Sequence, residues 1–125
     1  MFNFQKVAGL LADFGFNCIK LADDWQGADF LAYHIDGANT LKVQLKSRAT
    51  IDKKYEGKGL YLAFPIKKGK GEDWFLVDHD ELVNLVKKHS TWTESDSWQK
   101  QGAYSSDGPN SELVRALEPY RLHED

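Results

Sequence analysis

Between residues 30 and 45 the chain has little choice but to fold back on itself. Phe30–Ile35 is an apolar and aromatic run, Asp36-Gly37 is a strong turn signal, and Thr40–Leu45 resumes a strand. Successive strand side chains point to opposite faces, so Leu41, Val43 and Leu45 share one face and Lys42, Gln44 and Lys46 the other. The segment ahead reads as a helix. Phe4, Val7, Leu10, Leu11 and Phe14 recur at spacings of three and four, with Asn3 as N-cap and Gly15 as the stop.

The remaining elements follow from the same periodicities. Phe16–Leu21 is a short strand that ends at Asp23, Asp24 and the turn-like Gln26-Gly27. Ser47–Gly59 is polar and basic, with a helical turn over Ile51–Glu56. Leu60–Ile66 reads as a central strand, Lys67–Glu72 as a turn and Asp73–Val77 as the returning strand. A second helix buries Leu82, Val83, Leu85 and Val86, and Asp78 with Glu81 resembles its capping box. Ser90–Pro109 is an excursion that Trp92, Trp98 and Tyr104 anchor to the body. Asn110 caps a last short helix that buries Leu113, Ala116 and Leu117 and ends at Pro119. This order predicts an α/β or α+β fold, with a mixed sheet flanked by helices.

Size and composition narrow the class. A chain of 125 residues with 42% hydrophobic and 28% charged residues is expected to form one domain with its own core. The single Cys18 excludes a disulfide framework and a thiolate-rich zinc site. No apolar run approaches the roughly twenty residues of a membrane span, and the start lacks the pattern of a signal peptide. A soluble, cytoplasmic protein is the expectation.

Charge is segregated. Residues 42–70 hold nine basic side chains and two acidic ones, whereas the rest of the chain holds seven basic residues against seventeen acidic. Such a field can steer a polyanion to one face while the net charge stays at −3. The plainer reading of the lysine run is a solvated surface.

One constellation combines these signals. A hairpin centred near residue 37 pairs positions whose numbers sum to about 74 or 75, which sets Asp29 opposite Leu45 or Lys46. Asp29 can ligate Mg²⁺, a hard cation that prefers oxygen. The Gln44 side-chain carbonyl and the Leu45 backbone carbonyl are neutral oxygen donors beside it. Lys46 can stabilise charge developing on a phosphate, or orient the attacking water. Phosphodiester hydrolysis is the chemistry this set permits. Singly, Asp29 reads as a turn residue, and Gln44 and Lys46 as the wet side of a half-buried strand.

The pattern resembles the restriction-endonuclease-like nucleases of the PD-(D/E)XK superfamily. Gly27-Ala28-Asp29-Phe30 is similar to the Asp motif at the start of the second core strand. Thr40–Ser47 is similar to the acid-x-Lys segment on the third, at the usual fifteen-residue spacing. The departure is Gln44 in the acid position, a residue also found there in some active branches resembling Mrr-type restriction enzymes. The resemblance implies an αβββαβ core over about residues 1–88 and a C-terminal extension over about 89–125, which in relatives often builds a dimer interface. It implies a Mg²⁺-dependent DNA endonuclease, with Mn²⁺ as a substitute, in which Asp29, Gln44 and Lys46 are catalytic. Asp29, Gln44 and Leu45 would hold the metal, and the missing charge at Gln44 should weaken its binding. A second acid is open among Asp23, Asp24 and the first helix, where Gln5 and Asp13 are the polar candidates. Arg48, Lys53, Lys54 and Lys58 would contact phosphate, and cutting a duplex would need a homodimer.

Two other readings compete. One is a non-catalytic member of the fold that binds nucleic acid; the other is a protein-interaction module of the immunity or inhibitor kind. The histidines receive plain roles: His79 as a first-turn surface residue, His34 in the core or an interface, and His89 against the helix dipole. Trp25 is expected either to pack over the site or to anchor the core.

Overall fold

In the computed structural model, which describes residues 2–123, helix α1 runs Phe2–Ala12 and turns back at Gly15. Gly15 has φ +88°, and a Cβ there would lie 2.7 Å from His34 Nε2, so no larger residue fits without displacing the ring. Strands β1 (Phe16–Trp25), β2 (Ala28–His34) and β3 (Thr40–Leu45) follow as antiparallel neighbours. The β1–β2 turn is Gln26-Gly27, with φ +53° and +88°. Positive φ at both central residues matches the twist of a tight hairpin, at some strain for Gln26. Lys42 Nζ donates to Gln26 Oε1 at 3.1 Å and helps to hold that turn.

After β3 the chain crosses over through β4 (Ala49–Asp52) and a 3-10 turn at Lys53–Tyr55. Asp52 caps the turn by accepting from the Lys54 amide. Strand β5 (Leu60–Lys68) then pairs parallel to β3, and β6 (Gly71–Asp78) returns antiparallel to β5. The five-stranded sheet is ordered β1-β2-β3-β5-β6. Helix α2 (His79–His89) starts from Asp78, whose side chain accepts from the amides of Asp80 and Glu81. A 3-10 turn, a π-helical turn and strand β7 (Ala103–Ser106) make up the excursion, and β7 pairs with β4 in a separate two-stranded sheet. Helix α3 (Ser111–Leu117) follows, with Asn110 accepting from Leu113 N at 2.8 Å, and a 3-10 turn at Glu118–Tyr120 closes the order. No helix among the described residues is long and apolar enough to cross a membrane.

The sheet separates two apolar clusters. On one side Val7 and Leu11 of α1 pack with Phe30, Ala32, Val43, Ala63 and Trp74. Leu60, Leu62, Phe64 and Val77 meet α2, α3 and β4 on the other side, together with Tyr55, Trp92 and Trp98. The extension therefore shares a core with the sheet.

Several expectations change. Asn3 lies inside α1 rather than capping it, and Phe14 falls in the turn beyond the helix, 43% exposed. The first strand reaches Trp25 and includes Asp23 and Asp24, because an irregular register between Lys20 and Trp25 absorbs the polar residues. Ile35 leaves the second strand and is 75% exposed. The helical turn expected over Ile51–Glu56 shrinks to three residues, since Ile51 and Asp52 pair with β7. Ala116 is only partly buried. Trp25, 49% exposed, is not a core anchor.

Candidate active site

Asp29 reaches across the β2–β3 hairpin. Its Oδ2 accepts a hydrogen bond from the Leu45 amide at 2.7 Å, which sets the carboxylate against the Gln44-Leu45-Lys46 triplet. The register is one residue tighter than expected. Phe30 faces Val43 and Tyr33 faces Thr40, so numbers sum to 73, and one further step sets Asp29 against Gln44. The cause lies in the turn, where His34 N donates to Asn39 O at 2.8 Å and closes the loop at residues 35–38.

Gln44 is not on a wet face. Its neighbour on β5 is Leu62, a fully buried member of the larger cluster with Ile51 and Tyr55 of the crossover. The Gln44 Oε1 atom is buried and has no hydrogen-bond partner among the described residues. A buried acceptor left unmet costs about 1–3 kcal/mol, so this oxygen calls for a donor or a cation. The Asp29 carboxylate, the Gln44 amide oxygen and the Leu45 carbonyl are oxygen donors of the kind a hard ion with several waters takes. No group of three or more His, Cys, Asp or Glu side chains among the described residues could hold a metal.

The lysines of the strand divide their work. Lys42 Nζ donates to Lys58 O at 2.7 Å as well as to Gln26, and so ties the crossover to the β1–β2 turn. Lys46 is anchored through its amide, which donates to Ala63 O at 2.9 Å. Its ammonium stands 5.4 Å from the centre of the Tyr55 ring.

A cavity of about 280 Å³ opens beside Tyr55, lined by Asp24, Gln26, Gly27, Lys54, Tyr55 and Lys58. It joins the β1–β2 turn to the crossover. A larger groove of about 890 Å³ lies between α1, β6 and the C-terminal residues. Gln5 and Asp13 line that groove, on the opposite side of the sheet from Gln44.

The basic candidates are exposed but not all unengaged. Arg48 Nη2 donates to Ser105 O at 3.1 Å, and Lys53 lies over the Trp98 ring at 5.3 Å. Lys54 stands 5.2 Å from the Tyr55 ring and 3.8 Å from Asp52 Oδ2. The extension thus braces the basic crossover through β7 and Trp98.

His79 is the clearest revision. It is 1% exposed rather than a surface residue. Its Nε2 accepts from Asp52 N at 3.0 Å, which leaves the proton on Nδ1, 3.2 Å from Asp80 Oδ1. His34 is half-buried against Phe14 O, and His89 pairs with Glu112 at 2.7 Å near the end of α2. Burial pushes the Cys18 thiol up, as befits a small apolar filler. Sequence reading missed Tyr55, although a lone aromatic among Lys53, Lys54 and Lys58 is a signal of its own. The His79–Asp52 contact spans 27 positions and has no local signature.

No family model matches the chain, and no curated protein matches it. Its class therefore rests on its own geometry.

Proposed function

We propose that the chain is a metal-dependent endonuclease that hydrolyses phosphodiester bonds in DNA, built on a restriction-endonuclease-like core with Gln44 in the acid position. The buried Gln44 Oε1, unpartnered among the described residues, beside the Asp29–Leu45 hydrogen bond carries this reading. Asp29, Gln44 and the Leu45 carbonyl hold Mg²⁺, or Mn²⁺, which supplies Lewis acidity and a more acidic water. Asp24, which lines the cavity beside Tyr55, is the second acid in this reading. Lys46 donates hydrogen bonds to the reacting phosphate and orients water toward it. Arg48, Lys53, Lys54 and Lys58 draw the DNA backbone to the crossover, and two copies serve the two strands of a duplex.

A second reading, a non-catalytic nucleic-acid-binding or protein-interaction domain, draws on one observation: one Asp29 oxygen is already engaged by a backbone amide. One experiment separates the two. Supercoiled, linear and branched DNA are incubated with Mg²⁺ or Mn²⁺, with EDTA controls, while calorimetry follows ion binding. Metal-dependent cleavage is expected, with D29A losing ion binding and K46A losing at least about a hundredfold in rate at intact fold. A folded wild type that binds no ion at millimolar concentration and cuts none of the substrates would sink the nuclease in favour of the second reading.

A further inference from the structure

We infer that Tyr55 is a positioning residue that holds the Lys46 ammonium in place through the face of its ring, an inference that rests on the nuclease reading for its catalytic meaning. Lys46 lies at the end of β3 with its ammonium 5.4 Å from the ring centre, inside the range of a cation–π contact. Among the described residues it forms no ion pair or side-chain hydrogen bond. That choice of partner matters chemically. A carboxylate would neutralise the ammonium and occupy its donors, whereas a ring face leaves the N–H groups that point away from it for phosphate or water.

The ring is itself fixed. Tyr55 is only 5% exposed, and it meets the His79 ring edge-to-face at 5.6 Å and 81°. Asp52, before the 3-10 turn that carries Tyr55, donates its amide to His79 Nε2. Gly57, after it, donates its amide to Asp80 Oδ2 at 3.0 Å. Both sides of the turn are thus pinned to the first two residues of α2. A flexible lysine at a strand end gains a defined position from a ring that cannot move. Lys54 stands 5.2 Å from the same ring and brings a second positive charge nearby. Like charges repel, so a fixed attractive surface is what keeps Lys46 from swinging away.

The test reads position and rate separately. In ¹H–¹³C spectra of the intact protein, with Lys46 assigned by its loss in K46A, the Hε protons should be shifted upfield by the ring. Y55L should return them to the free-lysine value, and Y55F should keep the shift. In cleavage assays with Mg²⁺, Y55L should lower kcat about tenfold, as expected for a lost cation–π contact, with KM for DNA within about twofold. Y55F, which keeps the ring, should restore most of that rate. Unshifted Hε protons in the wild type, or a Y55F as slow as Y55L, would overturn the inference. Should Y55L not fold, the wild-type and Y55F spectra decide it. If the wild type cuts no DNA, the nuclease reading falls, and the spectra still decide whether Tyr55 positions Lys46.

Discussion

Val43 and Gln44 are consecutive residues on the middle strand of the sheet, and their side chains meet opposite surroundings. Val43 is fully buried in the apolar cluster of Val7, Leu11, Phe30, Ala32, Ala63 and Trp74. Gln44 turns to the side built from β4, the 3-10 turn, α2, α3 and the excursion, and its buried oxygen finds no partner among the described residues. The first face joins α1 and the β2–β3 hairpin to Ala63 of β5 and Trp74 of β6. The second is assembled from distant segments and keeps polar groups inside. Both sides carry apolar core, the larger cluster on that of Gln44, and what sets the Gln44 side apart is a buried oxygen unmet among the described residues.

The largest expected effect breaks the Val43 side. Phe30 is fully buried and meets Phe4 edge-on at 5.1 Å. Phe30→Ala should cost about 3–5 kcal/mol through lost transfer energy and the cavity left behind. K46A, on the other side, should cost about 1 kcal/mol or less, the scale of its one cation–π contact. Equilibrium unfolding in urea measures both. Comparable losses in the two variants would mean that Lys46 is held as firmly as a core side chain.

The same contrast explains what could be read from the sequence. The α1 periodicity and the alternation of Thr40–Leu45 are local; β3 formed where it was expected, and α1 formed about two residues early, at Phe2–Ala12. The β4–β7 pair was illegible, because four residues at Ala49–Asp52 find their partner only at Ala103–Ser106. The register slipped by one because the Asp36-Gly37 signal marks a turn without fixing its length. Of the candidate site, the fifteen-residue spacing of Asp29 and Gln44 was visible, as was the shared face of Gln44 and Lys46. The unmet oxygen and the Tyr55 ring were not, since both depend on how the crossover folds over the strand.

A middle-sized effect tests the Gln44 side directly. Replacing Gln44 by Leu removes an unmet buried acceptor at similar volume, so in EDTA the variant should be more stable than wild type by about 1 kcal/mol. Added Mg²⁺ should raise the melting temperature of the wild type and leave Q44L unchanged, because a ligand of the folded state stabilises it by mass action. A destabilised Q44L would show that the oxygen has a partner in the folded protein.

The smallest effect lies at the far end of the hairpin from Asp29, where neither face is involved. Asp36 Oδ1 accepts from Ala38 N at 2.8 Å, and Oδ2 lies 3.0 Å from His34 Nδ1. The Ala38 amide, with His34 adding to it, holds the Asp36 carboxyl below its ordinary value of 3.8. A carboxyl depressed in the folded state favours folding at every pH above its ordinary value. That contribution is lost as pH falls from about 4 through the lower folded value, where the native state must also take up the proton. Asp36→Asn keeps an oxygen for the Ala38 amide but has nothing to titrate. The urea midpoints of wild type and D36N should therefore differ slightly at pH 6 and converge as pH drops below about 4. Mg²⁺ binding should be the same in both, because the turn and Asp29 lie at opposite ends of β2. A difference that stays constant down to pH 2 would mean that the Asp36 charge contributes nothing to the turn, leaving the side-chain oxygen alone to set its geometry.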